Sequence, residues 1–419
     1  MSSRLAPTLA FVAGLLLDHF CGGGGASEGM AKALGKSPDV ACNHDRHAIA
    51  MHQANHPATR HLCADIRSVD PVEVMGGRFV DLLWASPDCK HFSRAKGGTP
   101  VDQGIRDLAW NVIRWAAAGD IRCIMMENVP EFVTWCPVVP VLGRHGKHAV
   151  NRKGQPLWVP DKTRTGETFR EFIGQLRALG YVVEWRTINA ADFGVPTARH
   201  RWYLIARRDG QPITWPKITH GRGLLPYHTA AECIDFSLPT RSIFGRKKPL
   251  ADASMARIRE GIARYVVTGR AHIVHGTRGI YAAFIAKHNG GAVGQLVDGP
   301  LHTITAKDTK RLIVCFLVKY YGNGGQWQSV DEPLHTITSH DRFGLITVTI
   351  DGETYRIADV GQRMLTPREL ATAQGFDVDY ILTGTRSQQI ARIGNSVCPP
   401  VAAALVASNL APRPARVAA

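Results

Sequence analysis

No apolar run in this sequence reaches the roughly 20 residues that a membrane-spanning helix needs, and no membrane partner is expected. The N-terminal apolar segment Leu9 to Leu17 is short and runs straight into Asp18 and a glycine cluster, so it reads as a buried strand. A secretory leader would carry more than the single Arg4 before it and a small-residue cleavage site after it, and the expected compartment is the cytoplasm. No CxxC pair occurs among the nine cysteines. An odd, scattered set in a chain of 419 residues argues against a disulfide framework and for reduced thiols. No Gly-Lys-Ser/Thr follows the glycine cluster, which excludes a Walker phosphate loop. Acidic residues are in short supply, 35 against 50 Lys and Arg, for a formal charge of +15. Such an excess favours a polyanionic partner, with nucleic acid the first candidate.

What is present alternates in character up to about residue 208. Apolar runs at Leu15–Asp18, Val40–Asn43, Phe79–Leu83, Ile121–Met125, Tyr181–Ile188 and Arg201–Ala206 read as strands. Helical spacing falls between them at Ser27–Leu34, near Arg46–Ala54, and at Leu108–Ala118 and Thr168–Leu179. Strand–helix alternation predicts an α/β fold with a parallel, doubly wound sheet. Val138 to Arg164 is basic and polar and reads as a surface insertion. From about 210 to 355 the alternation is lost, and Pro300-Leu301-His302-Thr303-Ile304-Thr305 recurs as Pro333-Leu334-His335-Thr336-Ile337-Thr338. Two copies are too few for a solenoid and suggest a duplicated strand–loop unit in a separate small domain. Amphipathic helical patterning returns from Met364.

Chemistry gathers where strands end. Asp18-His19-Phe20-Cys21-Gly22-Gly23-Gly24-Gly25 follows the first strand and opens the first helix, the context in which glycines let backbone approach a cofactor. Asn43-His44 stands where a dinucleotide site would place an acid, and Asp65 could accept a hydrogen bond from an adenine amino group. Cys42, His44, His47, His52, His56, His61 and Cys63 crowd one stretch. They lack tight Cys/His pairing and overlap the helix expected to flank the cofactor, so no metal site is expected. Cys89, in Trp84-Ala85-Ser86-Pro87-Asp88-Cys89-Lys90-His91-Phe92-Ser93, ends a buried strand where a polarised thiolate would act as nucleophile. Glu127 ends another strand, and a carboxyl against apolar surface can donate a proton near neutral pH. Arg199 and Arg201 lead into a strand and could reach a phosphate or a base carbonyl. Alone, each is weak: a strand-end cysteine is as a rule structural, and Arg-x-Arg is as a rule a solvated turn.

Taken in order, these stretches resemble the motifs of the DNA (cytosine-5)-methyltransferase family. The glycine loop resembles its first cofactor motif, Asp65-Ile66 its adenine-contacting motif, and Cys89-Lys90-His91-Phe92-Ser93 its Pro-Cys-Gln-x-Phe-Ser nucleophile motif. Glu127-Asn128-Val129 resembles Glu-Asn-Val, and Arg199 and Arg201 the arginines of Gln-x-Arg-x-Arg. Arg363 to Glu369 with Gln374-Gly375-Phe376, and Gly394-Asn395-Ser396-Val397, resemble the two closing motifs. The resemblance implies a Rossmann-like S-adenosylmethionine-dependent methyltransferase sheet over 1–209, a smaller target recognition domain with the internal repeat over 210–355, and a C-terminal return over 356–410. It implies S-adenosyl-L-methionine held by Asp18, Phe20, Gly22, Gly24, Gly25, Asn43, His44, Asp65, Ile66, Asn395, Ser396 and Val397. It also implies a cytosine flipped from double-stranded DNA. Cys89 would attack C6, Glu127 would protonate or hydrogen-bond N3, Arg201 would hold O2 with Arg199 as a further catalytic residue, and the loop Arg94 to Arg106 would close over the base. A monomer is expected, with a cognate restriction endonuclease as a further partner. The sequence departs from the motifs at Asp88 (for Pro), Lys90 (for Gln), His44 (for the ribose acid) and Thr197 (for Gln). An RNA cytosine-5 methyltransferase and a catalytically weak DNA-binding regulator stand as alternatives.

Overall fold

The computed structural model describes residues 14–88, 107–142, 148–150, 154, 156–276, 279–287, 294–306, 310–319, 347–350 and 353–410. Its first sheet has seven strands: β1 (Leu15–His19), β2 (Val40–Cys42), β3 (Arg60–Leu62), β4 (Val80–Ala85), β5 (Ile121–Asn128), β6 (Val182–Asn189) and β7 (His200–Arg207), in spatial order β3-β2-β1-β4-β5-β7-β6. The middle strands are apolar over most of their length because both faces are covered. Leu83, Ile124 and Leu204 pack with Trp115, Phe132 and Phe172 on one side. Leu82, Trp84, Met125 and Tyr203 pack with Met30 and Val401 on the other. Helices α1 (Gly25–Leu34), α2 (Arg46–Asn55), α3 (Pro71–Met75), α4 (Trp110–Ala118) and α5 (Glu167–Ala178) connect these strands.

The sheet is not fully parallel. β7 pairs antiparallel with both β5 and β6. The connection from Asn189 to His200 holds only a short 3-10 turn and the two-residue strand Thr197–Ala198. A parallel crossover needs a dozen or more residues, so the chain turns back instead. The start of β7 therefore lies at the same edge as the carboxyl ends of β1, β2, β4 and β5. The insertion at 138–164 contributes a small hairpin, Val138–Pro140 against Trp158–Pro160.

A second sheet is antiparallel along its length. It contains β8 (Arg241–Ser242), β9 (His272–Gly276), β10 (Gly279–Lys287), β11 (Lys310–Lys319) and β12 (Glu353–Met364), in order β8-β12-β11-β10-β9. Helix α6 (Asp252–Gly261) covers one face through Ile258 against Phe284 and Cys315. Helices α7 (Pro367–Ala373) and α8 (Arg386–Asn395) cover the other through Leu370 and Ile390. The expected boundary at 355/356 falls inside β12. The first repeat copy is tied to the connection that leads into β7: Leu301–His302 pairs in parallel with Thr197–Ala198. The second copy, 333–338, lies outside the described residues.

Arg386–Leu410 has the length and apolar composition of a membrane span. It is broken at Ser396, where ψ is 149°, and resumes as α9 (Pro399–Leu410), whose Val401, Leu405 and Val406 are buried. A Cβ at Gly29 would overlap Ala402, so the close approach of α1 and α9 requires glycine there.

Candidate active site

A cavity of about 420 Å³ opens at the shared edge of the first sheet. Phe20 and Gly22 line it from the end of β1, Asn43 and His44 from β2, Asp65 and Ile66 from the turn after β3, and Asn395 from the end of α8. Ser86, Pro87 and Asp88 bring in the chain after β4, Glu127 comes from β5, and Arg199 and Arg201 come from the start of β7. Ten of the sixteen residues expected at the site thus share one wall. Cys89, Lys90 and the loop 94–106 lie outside the described residues.

Five of the expected residues sit in the layer beneath. Asp18, Gly24, Gly25, Ser396 and Val397 are buried and hold the glycine loop to the C-terminal helices. Gly25 N donates to Ser396 Oγ at 3.1 Å, and a Cβ at Gly25 would overlap the Val397 carbonyl. Gly24 has φ +88°, and a Cβ there would overlap Tyr380 Oη, which itself donates to the Gly23 carbonyl at 2.7 Å. Phe20, at φ 61°, occupies left-handed backbone that non-glycine residues rarely adopt. Such local strain is typical of ligand-binding turns.

Glu127 does not meet the apolar surroundings expected for it. Arg201 Nε lies 3.0 Å from Glu127 Oε1, and Arg199 Nη2 lies 3.8 Å from the same oxygen. Neither contact has hydrogen-bond alignment, so this buried oxygen has no hydrogen-bond partner among the described residues. The two arginines differ in role. Arg199 is fully buried and donates to the Ile304 and Gly394 carbonyls at 3.2 and 2.9 Å. It clamps β7 to the repeat segment and to α8, and Thr197 Oγ1 adds a bond to the Leu301 carbonyl at 2.7 Å. Arg201 is partly open and faces the cavity. Arg199→Ala is expected to lower stability by about 3–5 kcal/mol, because it leaves two buried carbonyls without their donor and Glu127 with one of its two arginines. Arg201→Ala is expected to move Tm much less and to reduce methyl transfer more. Thermal melting beside an initial-rate assay separates the two.

Asp65 lines the cavity but is already engaged. Arg67 donates to its oxygens at 2.6, 3.0 and 3.2 Å and holds its pKa down to about 2. The sequence reading missed several residues that shape the site. Asn128 Nδ2 donates to the Pro87 carbonyl at 3.2 Å, tying the chain two residues before Cys89 to the strand that carries Glu127. Arg392 lines the cavity and pairs with Asp45, the N-cap of α2, linking the first and last cofactor-side segments. Among the clustered histidines, His52 bonds to Ser27 and His61, and His56 bonds to Ser37. Cys42 also lines the cavity, but burial pushes its thiol up to about 12.

The model of the C-5 cytosine-specific DNA methylase family matches residues 15–135 and 161–410, skipping the insertion. The chain is 25% identical over 400 residues to the Type II methyltransferase M1.HphI of Haemophilus parahaemolyticus, covering 94% of this chain and 86% of that protein. It is 26% identical over 236 residues to the Type II methyltransferase M.AquIA of Picosynechococcus, covering 52% and 87%. A solved Spodoptera frugiperda DNMT2 variant shares the fold at a TM-score of 0.53 and 17% identity, covering 93% of this chain and 97% of that one. With the family model matched over both sheets and the closing helices, the chain belongs to the C-5 cytosine-specific DNA methylase family.

Proposed function

We propose that the chain methylates C5 of a cytosine flipped out of double-stranded DNA, with Cys89 as nucleophile and S-adenosyl-L-methionine as donor. One observation carries the reading: a single cavity gathers the cofactor-motif residues, the Glu127–Arg201 pair and the backbone that leads into Cys89. The net charge of +15 favours a nucleic-acid partner, and the relatives named Type II methyltransferases favour DNA over RNA and a modification role beside a cognate restriction endonuclease.

The wall fits the donor. Phe20, Gly22, Asn43, Asp65, Ile66 and Asn395 line it, a set that combines polar side chains with apolar ones and a glycine. Bound there, S-adenosylmethionine supplies an electrophilic methyl group. The remaining steps belong to the chain. Cys89 adds as its thiolate to C6 and pushes electron density toward C5. Glu127 would engage N3, and Arg201, 3.0 Å from Glu127 Oε1, would hold O2 as charge develops. Loss of the C5 proton to water then expels the thiolate. Transfer of a labelled methyl group to matched duplex DNA and RNA oligonucleotides tests the substrate. Label in duplex DNA is expected, whereas label in RNA alone would overturn the DNA reading. Bisulfite sequencing of DNA from expressing cells then gives the target context.

A further inference from the structure

A chain of four hydrogen-bonded side chains runs beneath the glycine loop. Ser27 Oγ, in α1, donates to Asp18 Oδ2 at 2.6 Å. The same oxygen lies 2.8 Å from His52 Nε2, and His52 Nδ1 lies 2.8 Å from His61 Nε2. Asp18, Ser27 and His52 are fully buried, while His61 reaches the surface. The loop rests on this chain, since a Cβ at Gly24 would stand 3.5 Å from His52 and 3.4 Å from its neighbour His56.

Hydrogen counting fixes the direction of the bonds. A serine hydroxyl has one hydrogen. Given to Asp18, it leaves the oxygen to accept from His52 Nε2–H. Neutral His52 then accepts at Nδ1 from His61 Nε2–H. That arrangement holds three hydrogens. The reversed arrangement holds four: Asp18 O–H to Ser27, Ser27 O–H to His52 Nε2, His52 Nδ1–H to His61 Nε2, and a new hydrogen on His61 Nδ1. One proton entering at His61 therefore ends on Asp18, with one N–H or O–H bond broken and one made at each link. The Thr59 backbone favours the proton on His61.

Cys21, Cys42 and Tyr380, all neutral acids raised by burial, face Asp18. His56, with Glu28 4.0 Å away, faces His52. Burial holds Asp18 up to about 7, so its proton is exchangeable at neutral pH. Burial also holds His52, His56 and His61 below the usual histidine range, so the relay stays neutral.

We propose that Ser27, His52 and His61 are positioning residues that carry a proton between solvent and Asp18, so that entry of the cationic methyl donor releases that proton along the chain. The proposal rests on the reading that the cavity takes S-adenosylmethionine. A cation near a buried carboxyl favours its charged form, so binding strengthens as pH rises through about 7 and levels off above it.

Calorimetric titration of the full chain with S-adenosylmethionine tests this, in two buffers of different ionisation heat from pH 6 to 9. Asp18→Asn is expected to bind at every pH with the wild type's low-pH affinity and to remove the Asp18 part of the proton release. His52→Phe leaves the reversed chain with a serine hydrogen and no acceptor. Its affinity midpoint is expected to move about one unit to lower pH, an effect equivalent to roughly tenfold in the proton equilibrium. A role in packing alone would weaken binding equally at all pH values. Proton release undiminished in Asp18→Asn, or an unmoved midpoint in His52→Phe, overturns the proposal while the donor still binds. No binding at any pH overturns the reading of the cavity and the proposal with it.

Discussion

Replacing Cys89 with serine is expected to abolish methyl transfer, by at least about 10³-fold, on the scale seen when other enzymes lose a nucleophile. The attacking species must be a thiolate, and a serine hydroxyl does not ionise near neutral pH. Burial pushes Cys42 and Cys123 up to about 12 and Cys398 up to about 11, which keeps all three as inert thiols. The variant should still bind donor and DNA, since Pro87 remains held by Asn128. Labelled-methyl transfer by wild type and Cys89→Ser at equal DNA occupancy checks this, and retention of full transfer would remove Cys89 from the mechanism.

The second large effect falls on Glu127. Glu127→Gln keeps the shape of the side chain and removes both its charge and its capacity to share a proton with N3. General acid–base groups contribute roughly 10²–10⁴-fold, and a fall in kcat of that order is expected. The change also leaves Arg199 and Arg201 without their shared carboxylate. Of the two, Arg199 is the deeply buried one, so part of the loss should register as a lower Tm. Donor affinity, expected to rest on the residues of the cofactor motifs, should change little. A fall of less than tenfold in single-turnover rate would place Glu127 in the structure and outside the chemistry.

Much of the first sheet was legible because its middle strands are buried on both faces and read as unbroken apolar runs. β3 was missed because Arg60–Leu62 is polar and at best half-buried, as an edge strand can be. The reversal of β7 was missed because direction depends on connection length and not on strand composition. That reversal matters for the site, since it brings Arg199 and Arg201 to the edge where Glu127 ends its strand. In the cavity itself, the residues that follow each strand were readable from position alone. The layer beneath was not. Tyr380 meets Gly23 across 357 residues and Ser396 meets Gly25 across 371, contacts that no local pattern encodes. The histidine cluster was visible as a composition anomaly. Its partners, Asp18 and Ser27, lie on other elements and emerge only when α1 and α2 pack together.

The most direct test of the central claim is to trap the covalent link. A duplex carrying 5-fluorocytosine at the target position blocks loss of the C5 substituent, so the thiolate cannot leave after methyl transfer. Incubation with the chain and S-adenosylmethionine should give a complex that survives denaturation, and mass spectrometry should map the base adduct to the Cys89 peptide. Efficient methylation of ordinary duplex with no such complex, or an adduct on another cysteine, would contradict the mechanism.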